Sequence, residues 1–82
     1  MKSYLISDNV DTATGMRLAG IEGEVVHEKD ELTDAINRAA KDKDIGIIFI
    51  TELLTQKYPD VVGNAKENLK NTLYILQDMT EF

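Results

Sequence analysis

Tyr4-Leu5-Ile6 is a short apolar run closed by Ser7-Asp8-Asn9, residues that favour turns and helix caps, so residues 2–7 read as a buried strand. From there Val10, Thr14, Leu18 and Ile21 recur at near-helical spacing, with Asp8 or Asp11 available as the N-cap. That predicts a helix over 10–19, ending near Gly20. Glu24-Val25-Val26-His27-Glu28 is β-branched at its centre and acidic at both flanks, a composition suited to an edge strand that avoids pairing with other chains. The clearest periodicity follows over 31–43. With Asp30 as N-cap, Leu32, Ala35, Ile36, Ala39 and Ala40 fall at i, i+3, i+4, i+7 and i+8. Glu31 and Asp34 near the start and Arg38, Lys41 and Lys43 near the end match the helix dipole.

Residues 45–50, Ile-Gly-Ile-Ile-Phe-Ile, are apolar at almost every position, as expected of a central parallel strand covered on both faces. Thr51 can cap a short helix over 52–57, and Pro59 then forces a break before a second helix over 60–70 carrying Val62, Ala65 and Leu69. Leu73-Tyr74-Ile75-Leu76 predicts a last strand over 72–77. Strict alternation of strand and helix argues for parallel strands joined by right-handed crossovers. Placing the most apolar strand beside the first gives the spatial order 2-1-3-4. The expectation is one α/β domain over 1–82.

Length agrees with one core: an 82-residue chain has no room for a second. Fifteen acidic against nine basic residues give a net charge of −6, and the cations are scattered. Binding to nucleic acid or to an anionic membrane surface needs a concentrated positive patch, so neither is expected. With no cysteine, disulfides, thiolate metal sites and cysteine nucleophiles are excluded. A reducing cytoplasm is the compartment these features suggest, with no segment apolar enough for a membrane span.

In an open parallel sheet, ligands bind at the carboxyl ends of the strands where the order reverses, here between the first and third strands. Ser7, Asp8, Asn9, Thr51 and Glu52 line that point. Asp8 and Glu52, with Asp11, offer oxygen ligands for a divalent cation, but capping and turn formation are commoner reasons for such residues at strand-to-helix junctions. The reading is therefore no catalytic residue, no metal and no cofactor. A phospho-receiver domain needs an acceptor aspartate at the end of the third strand, where Thr51-Glu52 stands, and no Gly-x-Gly-x-x-Gly or Gly-x-x-x-x-Gly-Lys loop is present for a nucleotide or flavin. His27, the single histidine, reads as a solvent-facing edge-strand residue. Gly15 inside a helix costs about 1 kcal/mol relative to alanine, which suggests close packing of that helix on the sheet. Arg17 is expected to pair with Asp8 or Glu52, or to meet a partner.

Three stretches carry a family resemblance. Asp8 with Asp11-Thr12-Ala13-Thr14-Gly15-Met16-Arg17-Leu18-Ala19-Gly20-Ile21, the lysine-ended helix into Asp44-Ile45-Gly46-Ile47-Ile48, and Ile50-Thr51-Glu52 together resemble the F subunit of the V-type and A-type rotary ATPases, over residues 4–54. The resemblance implies a flavodoxin-like (Rossmann-like) three-layer α/β domain with helices on both sheet faces. It also implies a non-catalytic central-stalk protein that clasps the coiled coil of the D subunit, with the catalytic head and membrane-ring adaptor subunits as further contacts. Such a rotor component helps couple ATP hydrolysis or synthesis to proton or sodium transport, as a cytoplasmic part peripheral to the membrane. Asp8, Arg17, Thr51, Glu52, Leu73 and Ile75 stand as the candidate partner interface. The alternative is a stand-alone receiver-like regulatory domain.

Members of that family continue past the fourth strand into a C-terminal helix, whereas this sequence ends at Phe82. A missing helix leaves alternate residues of the third and fourth strands underburied on the first helix's face. The expectation is an apolar patch closed by a partner, by self-association, or by the Met79 to Phe82 tail.

Overall fold

The computed structural model describes residues 1–70 and 72–77. Among the described residues eight elements follow one another: β1 (Lys2–Ser7), α1 (Val10–Leu18), β2 (Glu22–Val25), α2 (Lys29–Lys41), β3 (Ile45–Thr51), α3 (Glu52–Lys57), α4 (Pro59–Asn68) and β4 (Thr72–Leu76). The four strands form one all-parallel sheet in the order β2-β1-β3-β4, the arrangement the alternation predicts. With helices on both faces, this is a flavodoxin-like three-layer α/β fold.

Helix boundaries follow from local chemistry. At the start of α1 the cap is Asn9, not Asp8 or Asp11: its Oδ1 accepts from the N–H groups of Asp11 at 2.7 Å and Thr12 at 3.2 Å. Asp11 falls inside the first turn and Asp8 is engaged elsewhere, so neither caps. α1 ends in a Schellman turn, with Gly20 N–H donating to the Arg17 carbonyl and Ile21 N–H to the Met16 carbonyl, both at 2.9 Å. Gly20 takes φ +91°, a conformation that glycine adopts without steric cost.

β2 runs from Glu22 to Val25 and not over 24–28, because the parallel ladder to β1 pairs Tyr4 with Glu22 and Ser7 with Val25. Val26-His27-Glu28 is instead the approach to α2, whose N-cap is Glu28 and not Asp30. The Glu31 carboxylate accepts the N–H groups of His27 at 2.8 Å and Glu28 at 3.0 Å, half of a capping box. Those two hydrogen bonds hold the Glu31 carboxyl below its ordinary range. Pro59, which has no N–H to leave unpaired, opens α4 as its first residue.

Because side chains alternate along a strand, the register sorts the sheet into two faces. Tyr4, Ile6, Ile48, Ile50, Leu73 and Ile75 share one face, covered by α2 and α4. There they form the core with Leu32, Ala35, Ile36, Ala39, Leu54, Val62 and Ala65. Leu5, Phe49, Tyr74 and Leu76 lie on the opposite face. α1 covers β1 and β2 on that side, burying Leu5 and Ala13. The β3–β4 half is left open: Tyr74 is 52% exposed and stacks on half-buried Phe49, ring centroids 5.9 Å apart. Register thus decides which of the alternate residues are underburied. The Met79 to Phe82 tail, one of the covers considered for this patch, lies outside the described residues.

Candidate functional site

The carboxyl ends of β1 and β3 meet where the strand order reverses, and their polar residues are tied to one another. Thr51 Oγ1 donates to Asp8 Oδ1 at 2.7 Å, and the Asp8 N–H donates to Thr51 Oγ1 at 3.3 Å. Beside that pair, the Asn9 N–H donates to Ser7 Oγ at 2.8 Å, and the Ser7 hydroxyl donates to the Asn9 carbonyl at 2.9 Å. Ser7 and Thr51 are buried, at 0% and 3% exposure, and a buried hydroxyl must find partners. The threonine that the sequence suggests as a side-chain cap for α3 makes no such cap bond, because its hydroxyl is committed to Asp8.

This bonding decides what the junction can do. In a phosphate site of this fold, the first N–H groups of the helix after β1 face the ligand. Here the Asn9 side chain already occupies two of them. Asp8 spends one carboxylate oxygen on Thr51, and no group of three or more His, Asp or Glu side chains among the described residues is arranged to hold a metal ion. The junction is a rigid tie between β1 and β3, with Glu52 in the first turn of α3 beside it.

Arg17 is placed away from this tie. It sits eight residues beyond Asn9 on α1, about 12 Å along the axis at 1.5 Å per residue, and its side chain makes no ion pair among the described residues. The expected pairing with Asp8 or Glu52 is not formed among the described residues. Leu73 and Ile75 turn inward and pack against the core, while their neighbour Tyr74 faces solvent. His27 lies in the β2–α2 connection and not in a strand, and its carbonyl accepts the Tyr58 hydroxyl at 3.0 Å. Gly15 has open space around it: a Cβ added there meets nothing within 4 Å, so close packing on the sheet is not its role.

Two features are invisible to sequence periodicity. A polar chain crosses three elements, in which the Tyr4 hydroxyl donates to Glu24 Oε2 at 2.8 Å and Arg38 pairs with Glu24 Oε1. Burial, then the hydrogen bond and charge of Glu24, push the Tyr4 phenol up to about 12. Only pairing of β1 with β2 brings residues twenty positions apart into reach. The second is an open cavity of about 460 Å³ at the amino ends of β3 and β4, lined by Met1, Asp42, Lys43, Ile45, Gly46 and Lys70 among others. It lies at the end of the sheet opposite the switch point.

The fold defines a class, a flavodoxin-like α/β domain, and at its switch point the polar side chains hydrogen-bond to one another. No described helix is long and apolar enough to cross a membrane. The chain matches the family model of the ATP synthase (F/14-kDa) subunit over residues 4–77, and it belongs to that family, the F subunits of the V/A-type ATP synthases. The matched span reaches through β4, beyond the stretch that carries the sequence motifs. A search of curated proteins found no match.

Proposed function

We propose that this chain is a non-catalytic rotor component in the central stalk of a V/A-type ATPase or ATP synthase. In this reading it clasps the coiled coil of the D subunit and contributes to coupling ATP hydrolysis or synthesis in the head to proton or sodium movement through the membrane ring. Its place is the cytoplasmic side, peripheral to the membrane, with the catalytic head and the ring adaptor as further neighbours. The observation that carries the proposal is the family match across 4–77. The junction chemistry supports it: Asp8, Thr51, Ser7 and Asn9 bind each other, and a protein that transmits torque has use for a stiff sheet end.

The proposed contact is the rim around Asp8, Thr51 and Glu52 together with Arg17, which has no ion-pair partner within the described fold. Leu73 and Ile75 serve it from inside by holding β4 against the core. Co-expression with the cognate coiled-coil stalk protein, followed by size-exclusion chromatography with light scattering, tests this. A one-to-one complex is expected. Arg17→Glu should slow association and change its salt dependence, as reversal of an interfacial rim charge does. A wild-type chain that elutes alone at every salt concentration overturns the proposal.

A further inference from the structure

The two edges of the sheet are built differently. β2, on one side, reads Glu22-Gly23-Glu24-Val25, with acidic side chains and a glycine that discourage another strand from adding. β4, on the other, reads Thr72-Leu73-Tyr74-Ile75-Leu76, with no charge, no proline and no glycine. Among the described residues its outer edge has no strand beside it. An edge of high β propensity without a guarding residue is a template for pairing.

We propose that β4 pairs with β4 of a second copy of this chain, antiparallel, about a two-fold axis passing beside Tyr74 and normal to the sheet. Two observations select a second copy as the occupant. In this register Tyr74 faces Tyr74 on the open face and Leu73 faces Ile75 on the core face, so the apolar centre of the segment pairs with itself, while Thr72 faces Leu76 at its ends. On the open face, the Phe49–Tyr74 stack of one copy continues into that of the other, which covers a tyrosine that is otherwise 52% exposed. The acidic β2 edges, which repel, end up on the two outer sides of the joined sheet. This pairing is independent of the rotor assignment and concerns the chain by itself.

The test uses the full 82-residue chain. Sedimentation velocity over about two decades of concentration should show a monomer giving way to a dimer, and Tyr74→Lys should weaken that dimer about tenfold or more while circular dichroism stays unchanged. The chain has no cysteine, which allows a positional check. Tyr74→Cys should give a disulfide-linked dimer under mild oxidation, because the two-fold brings position 74 of each copy together. Leu18→Cys, at an 86% exposed position on α1, should not. A wild-type monomer across the range, a dimer that Tyr74→Lys leaves intact, or equal cross-linking at 18 and 74 would each overturn the proposal. The cross-linking arm keeps it open to refutation even where Tyr74→Lys perturbs folding.

Discussion

Asn9 shows how one side chain sets the character of the switch point. Its amide oxygen takes two N–H groups of α1, so Asn9→Ala should cost about 1 kcal/mol, read as a lower urea midpoint, and Asn9→Asp should retain most of that stability. Tyr4 carries a pH signature. Its phenol is raised in the folded state, first by burial and then by the Glu24 hydrogen bond and charge. A raised phenol means that the neutral form is the one the fold favours. The stabilisation is complete below the unfolded tyrosine value near 10 and is lost as pH climbs through about 12. Ultraviolet titration should show one tyrosine ionising near pH 12, absent in Tyr4→Phe and moved back toward the ordinary value in Glu24→Gln. Glu31 works in the other direction: its carboxyl is depressed, so its support for the start of α2 is present above the carboxylate range and fades as the solution is acidified through it.

At the scale of elements, two glycines in similar-looking surroundings have opposite roles. Gly15 lies inside α1 with nothing near its absent Cβ, so Gly15→Ala should stabilise by about 1 kcal/mol through helix propensity alone. Gly23 lies on β2 where a Cβ would come within 2.6 Å of the Leu5 carbonyl oxygen and 2.8 Å of Leu5 Cβ. Leu5 is fully buried and has nowhere to move, so Gly23→Ala should destabilise by about 1–3 kcal/mol. Urea denaturation of the two variants, with unchanged slope, should separate them in sign. Which glycine is constrained was not legible in the sequence, because the constraint on Gly23 comes from a strand eighteen residues away. By contrast α2 was legible almost to its ends. Five apolar positions at helical spacing need only one partner surface to produce the buried stripe seen at Leu32, Ala35, Ile36 and Ala39. Its cap was misplaced by two residues, since Glu28 and Asp30 both suit an N-terminus and the choice rests on where the Glu31 carboxylate reaches.

For the whole molecule, the alternation of elements and the continuous apolar run of β3 were sufficient to order the strands. A parallel sheet joined by right-handed crossovers leaves few arrangements in which the most apolar strand is central. The motifs around Asp8 to Ile21 and Ile50 to Glu52 were likewise enough for the family, and the match over 4–77 extends that to nearly the whole chain. Tertiary structure decided the rest. It turned Leu73 and Ile75 inward and Tyr74 outward, because a one-residue choice of register exchanges the two faces of a strand. It bound Asp8 to Thr51, forty-three positions apart, and left Arg17 unpaired with either Asp8 or Glu52 among the described residues. Periodicity along a chain records which residues share a face with their near neighbours, and that is enough to specify elements and their layers. Hydrogen bonds between strands and the exposure of an edge depend on side-by-side placement of distant segments, which only the folded sheet establishes.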